Sequence, residues 1–304
     1  MISSSASTTN ISQSLSIILP CYNEAQNLES ILTALCETYP HAEVIVVDDG
    51  STDESATIAH QYPVRLIKHP HNMGNGACIK TGARHAKNKI LVFMDADGQH
   101  KPEDIQRMLN KLEEGYDMVV GARTIRSHAN ISRMFANAFY NKLASFMTGF
   151  IIKDLTSGFR VVKANKFRKF LYLLPNGFSY PTTSTMAFFR SAFPVAYIPI
   201  AAEKREGKSK IRLMKDGMRF LIIILRIGAL FSPMRLFLPI SLLAFLIGSG
   251  YYAYTFFTDG RFTNMSALLY ITSLLTFLIG IVSEQISSLH YRHSEDNLYN
   301  DEQP

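Results

Sequence analysis

Two carboxylates one residue apart, Asp95 and Asp97, follow the apolar run Ile90-Leu-Val-Phe-Met94, and Gln99 and His100 come next. Two close carboxylates repel, and a divalent cation removes the conflict. Hard oxygen ligands at this spacing suit Mg²⁺ or Mn²⁺, ions that keep several waters and also grip the phosphates of a substrate. Asp95, Asp97 and the Gln99 amide oxygen are therefore the candidate metal ligands, with His100 as a packed neighbour. Two other segments gather acids in the same manner: Pro20-Cys-Tyr-Asn-Glu24 and Asp48-Asp-Gly-Ser-Thr-Asp53. Such a rim can bind a nucleotide, with an acid on ribose or base and a cation on pyrophosphate. Asp53 has a local alternative as an acid in the first turn of a helix, favourable to its dipole. The segment His71-Asn-Met-Gly-Asn-Gly76 enters a helix through two glycines, where backbone N–H groups could approach a phosphate or sugar.

These segments need strands to position them. Leu15–Pro20, Glu43–Asp48, Val64–His69, Ile90–Asp95 and Asp117–Gly121 are apolar runs of strand length. Between them, Asn27–Glu37, Asp53–Gln61, Gly76–Ala86 and Pro102–Glu114 read as helices, the first with Leu28, Ile31, Leu32 and Leu35 on one face. Nearly continuous apolar strands alternating with helices predict an α/β fold whose mostly parallel sheet is covered on both faces. Ligands bind such sheets at the carboxyl ends of the strands, where the three acidic segments fall.

The chain has 304 residues and a formal charge of +6, with the basic excess mostly between Lys204 and Arg235. No nucleic-acid partner is expected. The three cysteines, Cys21, Cys36 and Cys78, have no metal-ligand spacing and read as reduced thiols of a cytosol-facing domain. Residues 1–14 are rich in Ser and Thr and read as a disordered tail. Residues 15–210 form the candidate catalytic domain.

The C-terminal third differs. Leu236–Phe257 and Met265–Ser283 contain no charged residue, and each is near the length that crosses a bilayer. With the short linker 258–264 they predict a transmembrane hairpin over 235–289, with spans at about 236–257 and 265–284, followed by a polar tail at 290–304. Lys and Arg flank the hairpin on its outer ends, so the large N-terminal portion and both termini are expected in the cytoplasm. Before the hairpin, 211–232 reads as an interfacial amphipathic helix. Its Arg212, Lys215, Arg219 and Arg226 fall within about 60° on a helical wheel, suited to an anionic leaflet. Met134, Phe135, Phe139 and Phe146 have helical spacing and read as a membrane-surface or subunit-packing face.

Seven segments in order resemble a known group. They are Pro20-Cys-Tyr-Asn-Glu, Val47-Asp-Asp-Gly-Ser-Thr-Asp, Asn72-Met-Gly-Asn-Gly, Met94-Asp-Ala-Asp-Gly-Gln-His, Gly121-Ala-Arg, Asp154-Leu-Thr-Ser-Gly-Phe-Arg and Arg205-Glu-Gly-Lys-Ser-Lys. The chain is similar to the GT-A family 2 glycosyltransferases, in the polyprenyl-phosphate branch that includes dolichyl-phosphate mannose and glucose synthases. The resemblance spans roughly residues 15–212, and the hairpin matches the membrane-anchored members.

What it implies is an inverting transfer of one sugar from a UDP- or GDP-sugar to a polyprenyl phosphate at the cytoplasmic face of a membrane. Pro20, Tyr22, Glu24, Asp48, Asp49, Asn72 and Gly74 would bind the nucleotide, and Asp95, Asp97 and Gln99 the Mg²⁺ or Mn²⁺. The acceptor phosphate would meet Arg123, Arg133, Asn137, Arg205, Lys208 and Ser209; Asn137 stands where the family often has serine. A phosphate oxygen is already ionised at neutral pH, so no strong general base is required, and the catalytic set reduces to Asp97, Arg123 and Asp154. Asp154 could orient the acceptor, act as a base, or serve as a helix N-cap ahead of Thr156–Ser157. Tyr180-Pro-Thr-Thr-Ser-Thr185 departs from relatives that carry acids there, so the sugar is left open. Self-association is a further expectation.

Other classes fit less well. A processive polysaccharide synthase would carry a Gln/Arg-x-x-Arg-Trp motif, and this chain has no tryptophan. A Rossmann dehydrogenase would place Gly-x-Gly-x-x-Gly after the first strand, and a nucleotidyltransferase would need neither the lipid-side arginines nor the hairpin. A non-catalytic membrane scaffold that kept a nucleotide-sugar fold is the remaining alternative; it would show decay of the metal or phosphate groups, which are intact.

Overall fold

A computed structural model describes residues 14–123, 131–177, 179–201, 221–222, 225–226, 228–229 and 232–301, the side chains of 131–137 and 290–301 apart. Residues 1–13 of the tail expected at 1–14, most of the interfacial helix at 211–232, and Arg205, Lys208 and Ser209 lie outside the described residues. The chain divides into two compact units: one drawn from residues up to 142 and from 151 to 220, the other from 143–150 and from 221 on.

The first unit is built on a seven-stranded sheet. Its strands are β1 (Leu15–Cys21), β2 (Glu43–Asp48), β3 (Arg65–Lys68), β4 (Ile90–Phe93), β5 (Met118–Arg123), β6 (Arg160–Lys163) and β7 (Val195–Ile200), in the order β3-β2-β1-β4-β6-β5-β7. Helices α1 (Ala25–Thr38), α2 (Ser55–His60), α3 (Asn75–His85) and α4 (Glu103–Glu113) connect the first five strands. All seven residues of β1 are buried, as a central strand covered on both faces requires. One face of α1 buries Leu28, Ile31, Leu32 and Leu35 against β1 and β2 residues of the core. Each such leucine contributes about 1.5–3 kcal/mol on leaving water. On α3, Gly82 lets the helix approach so closely that any side chain there would collide with Ile18. β3, at one edge, presents charged Arg65 and Lys68, a pattern that discourages further strand pairing.

The sheet is mostly parallel, as expected, with one antiparallel strand. β1 pairs in parallel with β2 and β4, β2 with β3, and β5 with β7, but β6 runs antiparallel between β4 and β5. β6 is only four residues long and holds two charged ones, so periodicity gave it no signal. Its direction has a consequence. Arg160, its first residue, pairs with Phe93 and Val120, so the loop entering β6 reaches the same edge as the carboxyl ends of β4 and β5.

After β5 come α5 (Ile131–Thr148), α6 (Ala164–Arg168) and α7 (Tyr180–Arg190). The second unit contains α8 (Pro233–Asp259) and α9 (Asn264–Asp301), joined at Gly260, whose φ of +63° turns the chain. Both helices are long and apolar enough to cross a membrane, over 233–259 and 264–289. They pack through small polar residues: the Ser241 hydroxyl donates to the Ser273 carbonyl at 2.9 Å, and Ser273 reciprocates to Ser241 at 2.9 Å. Satisfying hydroxyls in this way suits an apolar environment. α9 continues as a helix to Asp301, through the segment expected as a polar tail.

Candidate active site

β1 lies between β2 and β4, with chain order reversing there, so its carboxyl end opens on a crevice at the switch point of the sheet. Three loops meet at that edge. Cys21 is in register with Asp48, and the Met94 N–H donates to the Ile18 carbonyl at 3.2 Å, carrying the chain from β4 to Asp95 and Asp97. The expected juxtaposition of the three acidic segments is present.

The first two loops lock together. Asn23, with a left-handed φ of +56°, donates its N–H to Ser51 Oγ at 3.0 Å and accepts the Thr52 N–H at 2.8 Å. Asp48 Oδ1 accepts the Ser51 N–H at 2.9 Å. Asp53 Oδ1 accepts Ser55 N–H at 3.0 Å and Oδ2 accepts Ala25 N–H at 3.1 Å, so it ties the starts of α1 and α2. It lies ahead of α2, not in its first turn as weighed, and acts as a tie between the two loops. Pro20 is buried in β1, Tyr22 is 37 % exposed at the rim, and Glu24 is half-buried.

Asp49 faces the other way. Its Oδ1 accepts the Met73 N–H at 2.9 Å and meets His69 Nδ1 at 2.8 Å, while Oδ2 accepts the Gly74 N–H at 2.7 Å. His69 Nε2 in turn meets Thr81 Oγ1 at 2.9 Å. Burial works to raise the Asp49 carboxyl, but the His69 and backbone hydrogen bonds hold it below the usual range. Asp49, His69 and Cys78 bring potential ligand atoms within 4.8 Å of one another. Those of Asp49 and His69 are already paired, and burial pushes the Cys78 thiol far up, away from the thiolate a metal would take. The cluster is a hydrogen-bonded buttress for the 71–74 loop.

Met73, Gly74 and Gly76 do not offer their N–H groups as the sequence suggested. Met73 and Gly74 give theirs to Asp49, Gly76 donates to the Gly177 carbonyl at 3.1 Å, and Ala77 to the Asn176 carbonyl at 3.0 Å. The glycines serve close approach instead: Gly74 has φ +101°, and side chains at Gly74 or Gly76 would collide with the 175–177 backbone. Asn72 is exposed at the loop tip.

Asp95 and Asp97 are half-buried, and Asp97 Oδ1 accepts the Gln99 N–H at 3.2 Å. Asn75 Nδ2 donates to Asp95 Oδ1 at 3.5 Å, and the Asn75 Oδ1 is buried with no hydrogen-bond partner. Gly158, in the loop before β6, faces the Asp95 carboxylate; a Cβ there would lie 2.8 Å from Oδ2. Two hard carboxylates one residue apart, an unmatched amide oxygen and a cradle kept clear by glycine fit a divalent cation. His100 stacks on Phe159 with ring centroids 4.8 Å apart and leaves its buried Nδ1 without a partner. Burial pulls its pKa down to about 4 against the raising influence of Asp97, so it packs as a neutral ring.

On the far side of Asp95 stand Arg123 and Asp154. Arg123 Nε meets Asp154 Oδ2 at 2.9 Å and Nη2 meets Oδ1 at 3.0 Å. Asp154 Oδ1 also accepts the Thr156 and Ser157 N–H groups, each at 3.1 Å. Burial favours the neutral carboxyl, but the Arg123 bonds and charge, with backbone N–H groups, hold it below the carboxylate range. Burial disfavours the Arg123 cation, yet Asp154 and then Asp95 hold its pKa up. The segment after Asp154 enters β6, not a helix, so the helix N-cap weighed for it becomes a loop cap on Thr156 and Ser157, and both its oxygens are engaged.

Sequence reasoning passed over Arg160 and Tyr180. Arg160 is fully buried; Nε donates to the Ser157 carbonyl at 2.8 Å, and Nη1 to Ser184 Oγ at 3.0 Å and Thr185 Oγ1 at 2.7 Å. The acid-free stretch of α7 thus meets this guanidinium with hydroxyls. Tyr180 OH donates to the Gly158 carbonyl at 2.7 Å, fixing the glycine that faces Asp95. The signal was present in Asp154–Arg160, whose last residue is a charge beside a buried strand. Arg133 and Asn137 lie on α5.

The mixed sheet, its switch point and the acidic rim define a GT-A-like α/β fold. Residues 16–171 match Glycosyl transferase family 2, and residues 232–289 match the GtrB C-terminal hairpin. The chain belongs to glycosyl transferase family 2. It is 28 % identical over 221 residues to polyprenol monophosphomannose synthase of Mycolicibacterium smegmatis, covering 67 % of this chain and 83 % of the relative. It is 30 % identical to undecaprenyl-phosphate 4-deoxy-4-formamido-L-arabinose transferase of Pseudomonas fluorescens, covering 84 % of each. The fold is also that of glucosyl-3-phosphoglycerate synthase from Mycobacterium tuberculosis, solved with Mn²⁺, UDP-glucose and phosphoglyceric acid. That match has a TM-score of 0.59 at 18 % identity, covering 71 % of this chain and 79 % of the other.

Proposed function

We propose that this family 2 glycosyltransferase moves one sugar, with inversion, from a nucleotide-sugar to a polyprenyl phosphate at the cytoplasmic face of a membrane. The placement of Asp95 between the nucleotide-side loops and the Arg123–Asp154 pair carries the reading, and relatives named as polyprenyl-phosphate transferases support it.

Pro20, Tyr22, Glu24 and Asp48 form the edge on which the nucleoside of a UDP- or GDP-sugar lies. Asp49 positions the 71–74 loop, with Asn72 at its tip and Gly74 at its bend. Asp95 and Asp97, with Gln99, would hold Mg²⁺ or Mn²⁺, which neutralises the departing diphosphate when bound. Arg123 presents a permanent positive charge to the acceptor phosphate, joined by Arg133, Asn137, Arg205, Lys208 and Ser209. The acceptor oxygen is itself the nucleophile and is ionised at neutral pH. Asp154 therefore acts by orienting Arg123, a role its saturated carboxylate fits better than proton abstraction. The α8–α9 hairpin spans the bilayer, with both termini in the cytoplasm.

The test is transfer of radiolabelled sugar from UDP- and GDP-sugars to undecaprenyl phosphate, read as label entering the organic phase. One donor should give metal-dependent transfer. Inertness with every donor would favour a scaffold that retained the fold.

A further inference from the structure

The Arg123–Asp154 pair is held by a third element, α5, through one side chain. Asp154 lies in the segment between α5 and β6, and the peptide groups on either side of it meet the Asn141 amide. Asn141 Nδ2 donates to the Lys153 carbonyl at 2.8 Å, and Asn141 Oδ1 accepts the Leu155 N–H at 3.0 Å. These partners fix the orientation of the amide, since turning it over would set donor against donor and acceptor against acceptor. Ile152 and Leu155 sink into the core, and the Asn141 bonds complete the grip on the backbone that presents Asp154 to Arg123. Asn is a poor choice for the interior of a helix, so its place here calls for a reason. Arg133, Asn137 and Asn141 follow one another at intervals of four. Each interval is about 40° around a helix and about 6 Å along it, so the three backbone positions form one stripe of α5. Asn141 is the member of that stripe bonded to the loop of Asp154, and all of these residues fall in the first compact unit.

We propose that Asn141 is a positioning residue for the acceptor: its amide sets Asp154, and through it Arg123, in register with the stripe of α5 on which Arg133 and Asn137 stand. This rests on the reading of Arg123, Arg133 and Asn137 as groups that hold the acceptor phosphate. Phosphate oxygens point in several directions, so donors on separate elements grip them together only while those elements keep one spacing. Asn141 supplies that spacing between the end of β5 and α5. The donor-side loops stand on β1, β2 and β4, so the loss of Asn141 should be felt on one substrate.

The test is steady-state transfer by full-length Asn141→Ala, with undecaprenyl phosphate and then the active nucleotide-sugar varied, and label read in the organic phase. Alanine removes both bonds and favours the helix, so the variant should fold and melt near the wild type. Its KM for undecaprenyl phosphate should rise about tenfold, with the KM for the nucleotide-sugar unchanged. Asn141→Gln, which keeps donor and acceptor on one amide, should recover most of the loss. An unchanged KM for undecaprenyl phosphate in an active Asn141→Ala overturns the inference and leaves the proposed function standing. Equal rises in both KM values, or failure of Asn141→Ala to fold, assign Asn141 to the stability of the unit and overturn it as well. So does a glutamine variant as impaired as the alanine one. Inertness of the wild type with every donor overturns the reading beneath it.

Discussion

Arg123 and Asp154 meet as a two-pronged ion pair, at 2.9 and 3.0 Å, that ties the end of β5 to the loop entering β6. The Asp154 carboxyl titrates below its unfolded value, so the folded chain binds fewer protons than the unfolded one. Its contribution is complete above the ordinary aspartate value of about 3.9 and is lost as pH falls through the lowered one. Thermal melts of wild type between pH 7 and pH 3 should show an acid limb that Asp154→Asn flattens. At neutral pH the variant should lose about 3 kcal/mol, because the Arg123 charge is left partly buried and unpaired. Equal acid limbs in both proteins would remove the pair from the stability of the site.

Gly158 is needed for space. A Cβ would press on Asp95 Oδ2 at 2.8 Å, so Gly158→Ala should fold and displace that carboxylate. The Mg²⁺ or Mn²⁺ concentration for half-maximal activity should rise about tenfold, equivalent to about 1.4 kcal/mol, with little change in melting temperature. A metal titration checks this, and an unchanged midpoint would mean that the Asp95 side chain gives way freely.

Arg160 is a buried cation whose partners among the described residues are carbonyls, hydroxyls and the Met118 sulfur. Burial pushes its pKa down. Arg160→Ala should lose about 3 kcal/mol by combining a cavity with unsatisfied polar groups. Arg160→Met, which refills much of the volume, should lose less. Chemical denaturation of both variants measures the order, and a larger loss in Arg160→Met would contradict it.

Asp49→Asn keeps the shape but makes one of the two oxygens a nitrogen, which cannot accept from Met73 or Gly74. The 71–74 loop should loosen, raising the KM for donor by about tenfold, equivalent to about 1.4 kcal/mol, with a smaller change in kcat. Steady-state kinetics over a range of nucleotide-sugar concentration checks the split.

The acidic rim was legible because its residues sit at the ends of strongly apolar strands. A run such as Glu43–Asp48 specifies both the strand and the place where it stops. The α1 stripe and the hairpin were legible for the same reason, a long and regular hydrophobic pattern. β6 was not, because four residues with a charge at each end carry no periodicity. The roles of Asp49 and of the 71–74 N–H groups were not legible either. An acid at a strand end reads alike whether it faces a ligand or a neighbouring loop, and only the positions of Met73, Gly74 and His69 decide. Gly158 and Tyr180 act through backbone proximity, which sequence spacing does not encode.

The most direct test compares wild type with Asp97→Ala in the organic-phase transfer assay, with Mg²⁺ or Mn²⁺ and with EDTA, once the active donor is known. Asp97→Ala should fold and insert in membranes like wild type. Transfer to undecaprenyl phosphate should fall at least about 100-fold, a loss of about 2.7 kcal/mol in transition-state stabilisation, and EDTA should silence the wild type. Full activity of purified Asp97→Ala in EDTA would contradict the account.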